Sequence, residues 1–128
     1  MSQTTLPQGP KCIFCRIVAG ELPASRVFED DVCLALMDVF PLRPGHVLVM
    51  PKTHGKHLAD LTPALRAHLM ETANRIAQAL RRSALAPDGI HFAVNEGRAA
   101  HQTVPHSHIH VLPRRRGDLL GLIGQILS

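Results

Sequence analysis

Three histidines alternate with other residues over five positions, at His106, His108 and His110. In an extended chain, side chains at i, i+2 and i+4 project from one face of the strand, whereas on a helix they would scatter. The surrounding segment 104–112 is rich in aliphatic residues, and Pro113 follows it. The spacing therefore predicts a strand over 104–112 that ends at Pro113 and presents three imidazoles on one face.

Length and composition bound the rest of the chain. It has 128 residues, of which 45% are hydrophobic, and no apolar run approaches the roughly 20 residues that cross a membrane. Positions 1–10 are mostly polar, so we expect a disordered tail there rather than a signal peptide, and a single domain over 11–128. Three cysteines, an odd number, fit a reducing compartment, and we therefore expect a cytoplasmic protein without membrane contact.

The charge balance argues for small anionic ligands rather than nucleic acid. The formal net charge is +4, and three arginines at 114–116 directly follow the histidine segment. Such a balance attracts small polyanions, although a solvated surface is the simpler explanation of arginine clusters. The chain has no Trp or Tyr and only four Phe, so it lacks the aromatic residues that stack bases along a strand.

The periodicity of the sequence indicates an α+β fold. Strands are expected at 26–29 and 32–37, with a turn at Asp30 and Asp31 between them, and at 46–50, 89–94 and 104–112. One helix is expected to start at Thr62, a suitable N-cap, with Pro63 as its first residue, and to stop around 83–85. Its apolar residues form one stripe, so it should cover the sheet; they are Leu65, Leu69, Ala73, Ile76 and Leu80.

Three imidazoles on one face require an organising partner. They repel one another when protonated and lose hydration when buried. A packed group of this kind therefore indicates a metal, an anion or catalysis rather than three independent core histidines.

The segment 106–112 resembles the H-φ-H-φ-H-φ-φ signature of the histidine triad family of nucleotide-binding hydrolases and transferases. Other blocks are similar to the same family, in the same order along the chain. They are CIFCRI (12–17), ELPA (21–24), Asp38, PGHVLV (44–49), PKTH (51–54), NEG (95–97) and QTV (102–104). The resemblance covers about residues 12–114.

The resemblance implies a catalytic assignment. His108 matches the nucleophile that attacks the α-phosphorus of a nucleotide, and water then releases a nucleoside monophosphate from the covalent nucleotidyl-histidine. His110 matches a group that faces the same phosphate and donates a hydrogen bond or a proton. Further matches to nucleotide-contacting positions are Asp38 for the ribose, Val39 with Phe14 and Ile17 for the base, and Asn95, Gln102 and Thr103 for phosphate and ribose.

The family fold and substrates follow from the same resemblance. It implies a five-stranded antiparallel sheet with a long helix packed across it, usually paired as a homodimer. The expected ligands are purine nucleotides such as AMP or GMP derivatives, with an AMP phosphoramidate or a similar small leaving group favoured over dinucleoside polyphosphates. The alternative is a nucleotide-binding or zinc-stabilised interaction module in which turnover is incidental.

A zinc site is also implied. Cys12 and Cys15 form a C-x-x-C pair, which alone is weak evidence because structural zinc takes four ligands. In several family members the other two ligands match His54 and His106. Two thiolates would cancel the charge of Zn²⁺ and two neutral imidazoles would add none. The simpler alternative is two buried thiols and a surface histidine.

Some positions leave two interpretations open. His101 stands where much of the family has glycine, so the loop conformation cannot be carried over, and its side chain is a candidate contact of the leaving group. His46 is either a partner of the triad or an ordinary strand residue. The apolar segment 119–127 either packs on its own domain or forms a subunit contact.

Overall fold

The fold is seen in a computed structural model that describes residues 12–39 and 41–118. Its helices are Ile13–Val18 (α1) and Pro63–Arg81 (α2), and its strands are Arg26–Glu29 (β1), Cys33–Met37 (β2), Val47–Pro51 (β3), Gly89–Ala93 (β4) and Ile109–Arg114 (β5). Short 3₁₀ turns occupy Leu58–Asp60 and Arg98–Ala100. The predicted tail at 1–10 and the apolar segment 119–127 lie outside the described residues.

The five strands form one sheet in the order β1-β2-β3-β5-β4, and every neighbouring pair is antiparallel. The predicted α+β fold, a five-stranded antiparallel sheet covered by a long helix, is confirmed. Within the described ranges, neither helix combines the length and apolar character needed to span a bilayer.

The sheet separates two different halves of the core because strand residues alternate between its faces. On one face, α2 packs through Leu69, Ala73 and Ala77 against strand residues such as Val49 and Val111. On the other face, α1 packs on alternate strand positions; this half of the core contains Cys12, Phe14, Cys15, Val18, Leu34, Leu36, Leu48 and Met50. The histidine segment lies on this second face.

The β1–β2 turn and the long helix follow local rules that the sequence displays. Oδ1 of Asp30 accepts backbone N–H groups from Val32 and Cys33, at 2.9 and 2.8 Å, as short acidic side chains do in turns. Thr62 caps α2 by accepting the N–H of Leu65. The helix ends at Arg81, slightly before the predicted stop at 83–85, and Val32 belongs to the turn rather than to β2.

The histidine segment departs from its predicted strand. β5 begins at Ile109, not at residue 104, because the preceding chain turns away and the Ser107 N–H donates to the carbonyl of Gly55. β5 also continues through Pro113 to Arg114. A proline is tolerated there because β3 begins at Val47, opposite Val111, so Pro113 has a strand neighbour on one side only.

Helix α1 was not predicted. It has only six residues, and its N-cap is Cys12, whose Sγ accepts the N–H of Cys15. A cysteine is not among the residues that normally signal a helix start, and six residues are too few for a helical period to be recognised. Packing on the sheet, through Phe14, Cys15 and Val18, holds this helix in place.

Candidate active site and metal centre

A largely apolar cavity of about 420 Å³ lies between α1 and the adjacent face of the sheet. Its volume is in the range of small-molecule sites. Its walls are mostly aliphatic, and three titratable side chains, Asp38, His108 and His110, reach into it. The remaining lining residues are Ile13, Phe14, Ile17, Leu22, Pro23, Ala24, Leu36, Met37, Val39, Leu48, Thr103 and Val104.

The three histidines of the segment share this side of the sheet, as their spacing predicts. The ring of Phe14 makes edge contacts with His106 and His108, at centroid distances of 5.8 and 5.1 Å. The rings of His108 and His110 lie 4.9 Å apart. Proximity does not make them equivalent, because each ring has different hydrogen-bond partners.

His108 is held as a neutral nucleophile would be. Its Nδ1 lies 2.7 Å from the backbone carbonyl of His106, and a carbonyl can only accept, so Nδ1 carries the proton. The lone pair is then on Nε2, and the ring lines the cavity. Burial lowers the pKa of His108 below its ordinary value, although the hydrogen bond to His106 and the charge of Asp38 oppose the shift.

His110 is oriented by His46. The N–H of Leu42 donates to Nδ1 of His46 (3.2 Å), so the proton of neutral His46 is on Nε2, which lies 2.9 Å from Nδ1 of His110. His46 therefore donates to His110 and leaves the proton of neutral His110 on its Nε2. Oδ2 of Asp38 lies 3.4 Å from Nδ1 of His46. Of the two interpretations of His46, the partner of the triad agrees with these contacts.

Burial also keeps His46 and His110 neutral. It lowers the pKa of His110 to about 3, assisted by repulsion from His108, His46 and His91. Burial also lowers the pKa of His46, against the opposing charge of Asp38. Near pH 7 the cavity therefore contains neutral imidazoles, which can attack phosphorus or donate hydrogen bonds.

The third histidine belongs to a separate cluster with two cysteines and a second histidine. Nδ1 of His106 lies 3.4 Å from each Sγ of Cys12 and Cys15, and Nδ1 of His54 lies 3.1 Å from the Sγ of Cys15. All four candidate ligand atoms lie within 4.8 Å of one another. Cys12, Cys15 and His106 are buried.

The cluster fits a tetrahedral zinc ion. Zn–S and Zn–N bonds of about 2.3 and 2.0 Å place the ligand atoms of a tetrahedron roughly 3.3–3.8 Å apart, close to the separations found here. Nε2 of His106 donates to the carbonyl of Pro51 at 2.8 Å, so Nδ1 is free of a proton, as a ligand must be. Burial lowers the pKa of His106 to about 4, which also favours the neutral ring.

The structure distributes the predicted nucleotide-binding residues unevenly. Asp38 and Thr103 line the cavity, and Val39 lies at its rim with 77% of its surface exposed. The amide of Gln102 is used elsewhere: it accepts from the N–H of Gly97 and donates to the carbonyl of Lys56, at 2.9 and 2.7 Å.

Asn95 is not among the residues that line this cavity. Leu22 and Pro23 line it but were not singled out from the sequence. Their only signal was membership of the ELPA block, which does not indicate which way a side chain points.

Comparisons with known proteins agree with this geometry. The family model described as HIT domain matches residues 19–117. This chain belongs to the HIT domain family.

Among curated HIT relatives, an uncharacterised HIT-like protein of Mycobacterium tuberculosis is 50% identical over 111 residues, which are 87% of this chain and 76% of that protein. The adenylylsulfatase HINT3 of Arabidopsis thaliana is 38% identical over 85% of this chain and 55% of its own length. The adenosine 5'-monophosphoramidase of Saccharomyces cerevisiae is 36% identical over 81% of this chain and 63% of its own length.

A solved structure is similar as well. The zinc-bound histidine triad family protein from Mycobacterium smegmatis superposes with a TM-score of 0.80 at 48% identity, over 84% of this chain and 78% of that one. Zinc is thus bound by a HIT protein similar to this one, and among the described residues the cluster around His106 offers the four cysteine and histidine ligands that a structural zinc ion takes.

Proposed function

We propose that this HIT protein hydrolyses the bond between the α-phosphate of a purine nucleotide and a small leaving group, as in an AMP phosphoramidate. The observation that carries the proposal is the tautomer of His108, whose Nδ1–H donates to the His106 carbonyl while its Nε2 lone pair is available at the cavity. Two relatives of this chain, an adenylylsulfatase and an adenosine 5'-monophosphoramidase, carry the names of enzymes that act on AMP derivatives.

The reaction divides into two displacements. Nε2 of His108 forms a bond to the α-phosphorus while the bond from phosphorus to the leaving group breaks, and the leaving group departs with the electron pair. The nitrogen of a phosphoramidate takes up a proton from the solvent as this bond breaks, so that it departs as ammonia. Water then attacks the phosphorus, the P–N bond breaks, and its electron pair returns to Nε2. The water proton passes to the solvent and the product is a nucleoside monophosphate.

The other cavity residues support these steps. Nε2–H of His110, oriented by His46, donates to a non-bridging phosphate oxygen and stabilises the charge that accumulates in the transition state. Asp38 accepts hydrogen bonds from the ribose hydroxyls, and the apolar wall that includes Phe14 and Ile17 encloses the base. Thr103, which lines the cavity, contacts phosphate and ribose. The amide of Gln102 keeps its bonds to Gly97 and Lys56 and positions the loop rather than the nucleotide.

We also propose that zinc is a structural component held by Cys12, Cys15, His54 and His106. Zinc would fix α1 to the histidine segment and takes no part in the displacement. None of Cys12, Cys15 and Cys33 forms a disulfide within the described residues, which supports the cytoplasm as the location.

A homodimer is the proposed assembly. The outer edge of β4 has no strand partner among the described residues, and Phe92 on this strand is 39% exposed. An unpaired edge with an exposed aromatic residue is suited to pairing with a second copy of the chain.

The test is turnover of AMP phosphoramidate, with a dinucleoside polyphosphate as the competing substrate. We expect release of AMP from the phosphoramidate and, in a rapidly quenched reaction, a protein mass increased by one adenylyl group. His108→Ala should reduce turnover by at least about 10³-fold, since loss of a nucleophile leaves only binding and electrostatic catalysis. Full turnover by the variant would exclude the covalent route. Binding of AMP without turnover of either substrate would favour the interaction module instead.

A further inference from the structure

A second cavity, of about 480 Å³, adjoins the nucleotide cavity. Thr103 lines both of them. The second cavity is lined by Lys56, Gly97, Arg98, His101, Gln102, Thr103 and Pro105. Because the two cavities share Thr103, a group that is attached to the α-phosphate and extends past Thr103 reaches the second cavity.

The lining of the second cavity includes basic side chains and no acidic one. Neither Lys56, Arg98 nor His101 forms an ion pair within residues 12–39 and 41–118. The acidic side chains adjacent to them bind backbone instead. Asp60 accepts the N–H of Lys56, and Glu96 accepts the N–H of Leu58 at 2.7 Å. The side chains of Lys56, Arg98 and His101 are therefore not occupied by a carboxylate of the described residues and can contact a ligand.

The loop is tied in the arrangement that places these three side chains on one cavity. The side chain of Gln102 bridges Gly97 and the backbone carbonyl of Lys56, which holds the turn containing Arg98 against the segment after β3. This bridge gives Gln102 a structural role that its sequence match did not predict.

His101 occupies a backbone conformation that favours glycine. Its φ and ψ are +64° and +36°, in the left-handed region, where a side chain is disfavoured relative to glycine. A histidine kept in such a conformation in the wall of a cavity indicates that the side chain itself has a use there.

We propose that Lys56, Arg98 and His101 form a subsite for an anionic leaving group, a tetrahedral oxyanion of the sulfate or phosphate type. The inference rests on the proposed function, because it concerns the group that His108 displaces. Such a leaving group departs with the electron pair of its bridging oxygen and needs no proton at neutral pH. The subsite stabilises the charge that develops on that oxygen as the bond to phosphorus breaks.

The test compares three substrates that all release AMP. Adenosine 5'-phosphosulfate loses sulfate, ADP loses phosphate, and adenosine 5'-phosphoramidate loses ammonia. Arg98→Ala should lower the ratio of kcat/KM for the phosphosulfate to that for the phosphoramidate at least tenfold. His101→Gly, which relieves the left-handed strain and is expected to fold, should lower the ratio in the same direction. If Arg98→Ala lowers kcat/KM for ADP by the same factor as kcat/KM for the phosphosulfate, the subsite accepts phosphate as well as sulfate. If kcat/KM falls for the phosphosulfate alone, the subsite is assigned to sulfate.

The matched control is Arg81→Ala, which removes the same charge from the last turn of α2, the helix on the opposite face of the sheet. In Arg81→Ala the ratio of kcat/KM for the phosphosulfate to that for the phosphoramidate should stay within twofold of the wild-type ratio. An unchanged ratio in Arg98→Ala and His101→Gly, with both substrates turned over, would overturn the subsite and leave the proposed function intact.

A binding measurement separates the two proposals if no substrate is turned over. Wild-type protein should bind ADP at least tenfold more tightly than AMP, and Arg98→Ala should remove that preference. If the preference is present without turnover, the subsite stands and the proposed function fails. Equal affinity for AMP and ADP in the wild type would refute the subsite.

Discussion

The three histidines of the segment 106–110 have different partners and should respond differently to substitution. The rings of His106 and His108 are almost equally buried, but His106 contacts two thiols and the carbonyl of Pro51. His108 lines a cavity that already exists. Loss of the His106 ring removes a candidate zinc ligand and leaves a space in the packed core, while loss of the His108 ring enlarges a cavity that is already open.

We therefore expect His106→Ala to lower the free energy of unfolding by about 3 kcal/mol or more. His108→Ala should cost about 1 kcal/mol, because no closed cavity is created. Urea unfolding of both variants, together with zinc content by elemental mass spectrometry, checks this. The metal should be lost from His106→Ala and retained by His108→Ala. Equal destabilisation of the two variants with zinc retained in both would contradict the proposed metal centre.

Among the elements, the β1–β2 hairpin depends on one carboxylate. Burial raises the pKa of Asp30, but hydrogen bonds from the N–H groups of Val32 and Cys33 outweigh it, and with His68 they lower the pKa to about 2. We expect Asp30→Ala to lower the free energy of unfolding by about 2 kcal/mol, because two backbone donors lose their acceptor. Asp31→Ala, in the same turn, is the control and should cost less than about 0.5 kcal/mol.

The pH dependence of this effect follows from the direction of the shift. The folded pKa lies below the ordinary value of about 3.9, so the stabilisation is present above pH 4 and is lost as the pH falls through 2. Urea unfolding at pH 7, 4 and 2.5 measures the difference in unfolding free energy between the wild type and Asp30→Ala. This difference should become smaller only between pH 4 and pH 2.5. A difference that is constant over this series would show that the carboxylate charge is not what stabilises the turn.

Local signals explain which elements could be predicted from the sequence. The Thr62 cap, the apolar stripe of α2 and the Asp30 turn are encoded within a few neighbouring residues, so their positions were predicted closely. The start of β5 was wrong because it depends on a contact between Ser107 and Gly55, which are distant in sequence. Helix α1 forms only through packing and an unusual Cys12 cap.

The candidate site was predictable to the same extent. Residue types and spacing, together with the family resemblance, predicted the two histidines that line the cavity and the four residues of the candidate metal cluster. They did not give the side-chain bridge of Gln102 or the basic cavity beside it, because both depend on how the loop after β4 folds back on the segment after β3. Such contacts between loops have no periodic signature.

Across the whole molecule, the two faces of the sheet differ in their response to acid. The α2 side of the core is almost entirely aliphatic, whereas the α1 side contains thiols and neutral imidazoles. Histidines that are neutral when folded and protonated when unfolded make folding less favourable as the pH falls. Acid should therefore weaken the α1 side, which contains both candidate sites, before it affects the packing of α2.

His110 allows this to be measured. Its folded pKa of about 3 lies below the ordinary value near 6.5, so its contribution to stability is complete above pH 6.5 and declines as the pH falls toward 3. Below pH 6.5 the wild type should therefore lose about 1.4 kcal/mol of unfolding free energy per pH unit relative to His110→Asn, which lacks the imidazole. Urea unfolding at pH 7.0, 5.5 and 4.5 measures this change. Parallel curves for the wild type and His110→Asn would mean that the imidazole of His110 is not held neutral by burial, and that its role as a hydrogen-bond donor to phosphate needs a different protonation state.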